Sequence, residues 1–162
     1  MIATYKGKNY RYVIDGSDTH LVSCYKDKAD DSFYAITGPF YKDVESIEDE
    51  NISDVFDVDI FVYYRDEQHD TPTLYKVEGY ALDRGKEKIL IKSVSKDLKG
   101  WEPSEDGGSQ KLISIEDVVS GKAVFNYKKF NGTVFYTRYV VEKYLKNDQV
   151  IECYKAYLET LL

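Results

Sequence analysis

The sequence is poor in the residues on which most site chemistry is built. It holds two histidines, two cysteines, one methionine and one tryptophan in 162 residues. Cys24 and Cys153 lie in distant segments, no CxxC pair occurs, and no Cys/His cluster has the spacing of a zinc site. Two reduced, partly buried thiols are expected ahead of a disulfide or a catalytic thiol. His20 opens an apolar run and reads as a satisfied histidine at a sheet edge. His69 stands in "RDEQHDTP" beside Asp66, Glu67 and Asp70, but that spacing matches no metal pattern, and the segment reads as a solvated linker. No metal site is expected.

Phosphate and nucleophile motifs are missing too. There is no GxxxxGK[ST] loop, and Gly121-Lys122-Ala123 lacks both the hydroxyl and the glycine-rich turn. No GxSxG elbow and no dinucleotide fingerprint appear. The densest acidic run carries Phe56 and Val58 where a calcium loop needs oxygen ligands. These absences predict a chain that is not an enzyme and takes no cofactor. No apolar run approaches the ~20 residues of a spanning helix. The opening "MIATYKGKNYRY" has no basic region followed by an apolar stretch. A cytoplasmic protein without membrane contact is expected.

What the chain does have is acid and tyrosine. Its net charge is -7, unevenly placed. Residues 1–70 hold seven basic and sixteen acidic side chains, or -9, whereas residues 71–162 hold fifteen and thirteen, or +2. Asp43, Glu45, Glu48, Asp49, Glu50, Asp54, Asp57 and Asp59 form a run of eight acids with no base among them. Such a balance disfavours nucleic acid and anionic membranes and favours cationic partners. Sixteen tyrosines and seven phenylalanines point to pleated sheet, where broad rings pack well.

The chain also repeats itself. "YKGKNYRYVIDGSDTHLVSCYKD" from Tyr5 aligns with "YKVEGYALDRGKEKILIKSVSKD" from Tyr75 with small gaps. Lys26-Asp27 then meets Lys96-Asp97, Phe33 meets Trp101, and "KDVESIED" meets "QKLISIED". Each copy reads as short strands separated by turn residues such as Gly7, Asp15-Gly16, Gly38-Pro39, Arg84-Gly85 and Gly107-Gly108. Strands are expected near 2–6, 9–14, 20–26, 32–36, 40–45 and 58–65, and again near 73–77, 79–83, 87–95, 100–102, 110–114 and 122–130. The expected fold is mainly β: two tandem small curved sheets of the SH3-like barrel type, from an internal repeat, with a C-terminal α-helix. The domains expected are residues 1–70 for the first repeat, 71–140 for the second with an added hairpin, and 141–162 for the helix packed on the body.

The tetrapeptide SIED, at Ser46–Asp49 and Ser114–Asp117, carries the capping-box pattern and is expected to start a short helix or 3₁₀ turn twice. Ile52, Val55 and Phe56, and likewise Ile115, Val118 and Val119, follow at helical spacing, with Gly121 placed to end the second helix. Asn131-Gly132 between alternating runs predicts a hairpin. From about Asp148 to Leu161, the stripe Ile151, Tyr154, Leu158 and Leu161 predicts a helix capped by Asn147 or Asp148.

For function, the charge asymmetry points to a non-catalytic acidic binding protein whose face around Asp43–Asp59 engages and inhibits a basic protein. An immunity protein that restrains a nuclease toxin is of this type. A DNA-mimic or regulatory protein of a mobile element shares the same charge logic. A third class is an SH3-like module, with Phe33 and Trp101 in an aromatic peptide groove. As a single-strand nucleic-acid binder, it would use Tyr10-Arg11-Tyr12 and Tyr136–Tyr139 for stacking, with Lys128, Lys129 and Arg138 for charge. Monomer and homodimer are both open.

Overall fold

The computed structural model describes residues 1–26, 28–35, 39–44 and 49–161. Among them twelve strands pair and one helix follows near the C-terminus, so the chain is mainly β as the alternation predicts. Two compact units are distinguished. The first comprises Met1–Val58, Phe125–Val141 and Ala156–Leu162; the second comprises Asp59–Val124 and Glu142–Lys155.

The first unit contains β1 (Ile2–Tyr5), β2 (Lys8–Asp15), β3 (Asp18–Ser23), β4 (Tyr34–Ala35), β5 (Phe40–Val44) and the start of β6 (Ile52–Tyr64). They pair antiparallel in the order β4-β5-β3-β2-β1-β6. The β1–β2 hairpin turns on Lys6 and Gly7, at φ 48° and 78°. Positive φ at both central positions matches the right-handed twist of the flanking strands. One sheet face buries Ala3, Tyr5, Tyr10, Tyr12, Leu21, Val44, Ile52 and Val55, with Phe33 and Phe135 packed against them.

Where β6 meets β1, Tyr5 opposes Ile52 but Thr4 opposes Asp54, so Ser53 is the extra residue of a bulge. That insertion explains an expectation the structure corrects. Ile52, Val55 and Phe56 have helical spacing but lie in a strand, because the bulge resets the alternation and buries both Ile52 and Val55.

The second unit continues β6 and adds β7 (Thr73–Asp83), β8 (Lys86–Ser93), β9 (Glu102–Pro103), β10 (Ser109–Ser114) and the start of β11 (Val118–Phe130). The order is β6-β7-β8-β10-β9. β7 was expected as two strands. It is one, with Val77 opposite Ile91 and Gly79 opposite Leu90, so Glu78 forms the bulge. The end of β12 (Phe135–Leu145) and the start of α1 (Asn147–Leu161) also belong to this unit. Its buried side chains include Val62, Tyr75, Ile89, Ile91, Val150 and Ile151.

The second SIED does open a 3₁₀ turn, Ile115–Asp117. The Ser114 hydroxyl accepts the Glu116 N–H at 3.4 Å, after which the chain enters β11 at Val118. In the first copy Ser46, Ile47 and Glu48 fall outside the described residues, and Asp49 closes a tight turn by accepting the Asn51 N–H at 2.9 Å. No helix follows either turn, and Gly121 ends nothing: it lies within β11. The hairpin at Asn131-Gly132 forms between β11 and β12, with Asn131 Oδ1 accepting the Thr133 and Val134 N–H groups. The helix starts as expected. Asn147 Oδ1 accepts the Asp148 N–H at 2.8 Å, and Gln149 Oε1 reaches back to the Lys146 N–H at 3.0 Å.

Closed SH3-like barrels are not what forms. Among the described residues the pairing path is open, from β4 at one end to β9 at the other. Each of these terminal strands is two residues long and hydrogen-bonds along one neighbour only, too short to bridge back and close a ring.

Candidate protein-binding surface

The face of the first sheet opposite its core carries a group of exposed acids. The turn between β2 and β3 places Asp15 directly across from Asp18, and His20 directly across from Asp43 on β5. Alternation puts Asp15, Asp18, His20, Tyr41 and Asp43 on one side, away from Leu21 and Val44. Tyr34 of β4 pairs with Tyr41, and their rings stack at 6.2 Å and 28°. Arg11 shares this face farther along β2, opposite Val22.

Asp43 is the centre of this surface. Its Oδ1 accepts the Tyr34 hydroxyl at 2.6 Å and lies 2.7 Å from His20 Nδ1. The tyrosine hydrogen bond first, then the one to His20, hold the Asp43 carboxyl below the usual aspartate range, so it is ionised at neutral pH. The same carboxylate pushes the Tyr34 phenol up. Asp18 bonds only to the neighbouring Ser17 hydroxyl, and no described lysine or arginine forms an ion pair with Asp15, Asp18 or Asp43. Like charges gathered on an exposed face repel one another.

The other acids of the predicted run have different fates. Glu45 and Glu48 lie outside the described residues. Glu50 is exposed, and Asp49 is held in its turn. Asp57 lies 3.4 Å from Lys128 in the first unit, and Asp59 lies 2.9 Å from Lys76 in the second. Both have cation partners within their own units. Asp54 lines a cleft of about 190 Å³ with Lys128, Lys129 and Arg138, beside the stacked rings of Tyr127 and Tyr139 at 4.6 Å and 13°. Asp15 and Asp18 were not singled out in the sequence. The signal was present: acids flanking a two-residue Gly-Ser turn must face each other across the hairpin.

The aromatic pair expected to line a groove packs inward. Phe33 sits on Tyr10 with ring centroids 5.1 Å apart, and Trp101 sits on Tyr75 at 4.9 Å. "RDEQHDTP" is largely exposed to solvent, as expected, but Asp66 anchors a turn within it. Asp66 is buried there and accepts the Tyr75 hydroxyl, the Gln68 N–H at 2.8 Å and His69 Nδ1 at 2.8 Å. Burial opposes ionisation of Asp66, but these hydrogen bonds outweigh it and hold its pKa below the usual value. The carboxylate anchors a turn. Among the described residues no cluster of three or more His, Cys, Asp or Glu is placed to hold a metal, and no helix is long and apolar enough to cross a membrane.

No protein-family model matches the chain, and no curated protein or solved structure shows significant similarity to it.

Proposed function

We propose that this chain is a non-catalytic acidic binding protein of the cytoplasm that engages a basic protein through Asp15, Asp18 and Asp43 and inhibits it, as an immunity protein restrains a nuclease toxin. One observation carries the reading: three acids, Asp15, Asp18 and Asp43, share an exposed sheet face with Tyr34 and Tyr41, and among the described residues none of them forms an ion pair with a lysine or arginine. A cationic protein supplies the missing charge, and such complementarity raises association rates more than it deepens affinity. Tyrosine beside acid suits an interface, since its ring buries apolar area while its hydroxyl stays hydrogen-bonded.

The test is a tagged pull-down from source lysate at low and high salt, comparing the wild type with the combined variant Asp15→Asn, Asp18→Asn, Asp43→Asn. The reading expects a stoichiometric basic protein that is lost at high salt and lost with the variant, and whose activity falls when the wild-type chain is added. A partner held equally by the variant would falsify this surface. Competition by duplex DNA for that partner would point to the DNA-mimic form of the same idea.

A second reading rests on the cleft at Tyr127, Lys128, Arg138 and Tyr139, whose cations and rings suit a single-stranded nucleic acid. Lys128 is already engaged by Asp57, and the two rings already stack on each other, so this reading stands second. We also infer that the two halves descend from one duplicated unit. The order β4-β5-β3-β2 recurs as β9-β10-β8-β7, which supports the alignment of the two sequence copies.

A further inference from the structure

β12 is an edge that no described strand covers. It pairs only with β11 among the described strands, and every residue from Tyr136 to Tyr144 is exposed. The exposed side chains are unusually apolar for an edge: Tyr136 at 45%, Tyr139 at 45%, Val140 at 49%, Val141 at 45% and Tyr144 at 73%. A long apolar edge with free backbone donors and acceptors is a template for another strand, and proteins that stay monomeric blunt such edges with lysine, proline or bulges. Between Phe135 and Leu145 there is no proline and a single lysine, Lys143, which in the pairing argued below would face the small Thr137 of a second copy and not another cation.

The order of residues along this strand says what the added strand is. On one face, alternate positions read Tyr136, Arg138, Val140, Glu142, Tyr144. That series is symmetric about Val140 in shape and antisymmetric in charge. We propose that β12 pairs antiparallel with β12 of a second copy of this chain, with Val140 on the two-fold axis. Arg138 of each copy then opposes Glu142 of the other, Tyr136 opposes Tyr144, and on the reverse face Tyr139 opposes Val141. Directly opposed residues share a face and interact most strongly, so one pairing makes two ion pairs and two tyrosine pairs at once. Shifting the axis by one residue to Tyr139 sets Arg138 against Val140 and Tyr136 against Glu142. Shifting it to Val141 sets Val140 against Glu142. Neither keeps the charge match, so the side chains select one register. Glu142 Oε1 is held by Lys122 at 2.9 Å, which leaves Oε2 for the arginine of the second copy. The pairing depends only on the local geometry of this one strand.

Charge swaps test this directly. The wild type is expected to show, by light scattering on a sizing column, a mass rising with concentration toward twice 18.8 kDa. Arg138→Glu sets glutamate against glutamate and Glu142→Arg sets arginine against arginine, so each variant alone is expected to run as a folded monomer, with circular dichroism checking the fold. An equimolar mixture of the two variants restores both opposite-charge pairs and is expected to dimerise. Val140→Lys, which opposes two cations on the axis, is expected to give a monomer that no mixing rescues. A monomeric wild type at about 100 µM, above the ordinary micromolar range of specific association, overturns the proposal. So does a dimer that survives both swaps, or a mixture that stays monomeric.

Discussion

Gly121 of β11 lies so close to Val150 of α1 that a β-carbon on the glycine would stand 2.6 Å from the valine Cγ2 and 3.0 Å from the Phe61 carbonyl oxygen. The helix rests on the strand through the missing side chain. Gly121→Ala is expected to destabilise the fold by about 1–3 kcal/mol, the usual cost of overpacking a filled core. Val150→Ala opens space at the same point, so the double variant should lose less than the sum of the single losses. Thermal melts of the four proteins check this. Strict additivity would show that the contact is not limiting.

The Asp66 carboxylate makes stability depend on acid. Its folded pKa lies below the 3.8 of a free aspartate, so its contribution is fully present above that value and is lost as pH falls through the lower, folded one. Asp66→Asn is expected to lose about 1–3 kcal/mol at neutral pH, the typical penalty for a disrupted buried hydrogen-bond network. The gap between wild type and variant should close below pH 3.8. Denaturant midpoints across that range measure it, and a constant gap counts against the carboxylate as the source.

Trp101 buries its indole N–H without a hydrogen-bond partner. Trp101→Phe removes this orphan donor but keeps a ring on Tyr75, so the change is expected to be small, within about 1 kcal/mol. Trp101→Ala strips the ring as well and should cost about 3 kcal/mol. Urea unfolding of both variants separates ring packing from the polar group, and equal losses would contradict the assignment.

Gly132 turns the β11–β12 hairpin at φ 91°, where nothing crowds a β-carbon but the backbone itself disfavours one. Gly132→Ala is expected to cost about 1 kcal/mol through backbone strain alone. Amide exchange should quicken at Thr133 and Val134, whose N–H groups Asn131 holds, and remain unchanged in β2 and β3.

Much of the fold was legible because strands and turns are short-range matters. Period-two burial, glycines at positive φ and the Asn-Gly pair placed most strands within two or three residues. The Gln149 and Asn147 side chains set the helix start for equally local reasons. What sequence distance hides was not legible. The Ser53 bulge made a strand imitate helical spacing, because burial depends on the register of a partner 49 residues away. An acidic run in sequence is not an acidic face in space: Lys76 and Lys128 neutralise Asp59 and Asp57. Asp15, Asp18 and Asp43 meet only because β5 pairs with β3.

By itself, then, the sequence determined the class of structure and its local grammar: antiparallel strands, their turns, one capped helix and an excess of acid. Alternation, capping and φ preference act over a few residues and need no distant partner. Tertiary pairing decided which acids meet a cation and which do not, why Gly121 must stay small and that β12 has one neighbour among the described strands. Each of these is a contact between segments far apart in the chain, and the energy of such a contact exists only once the strands have found their register.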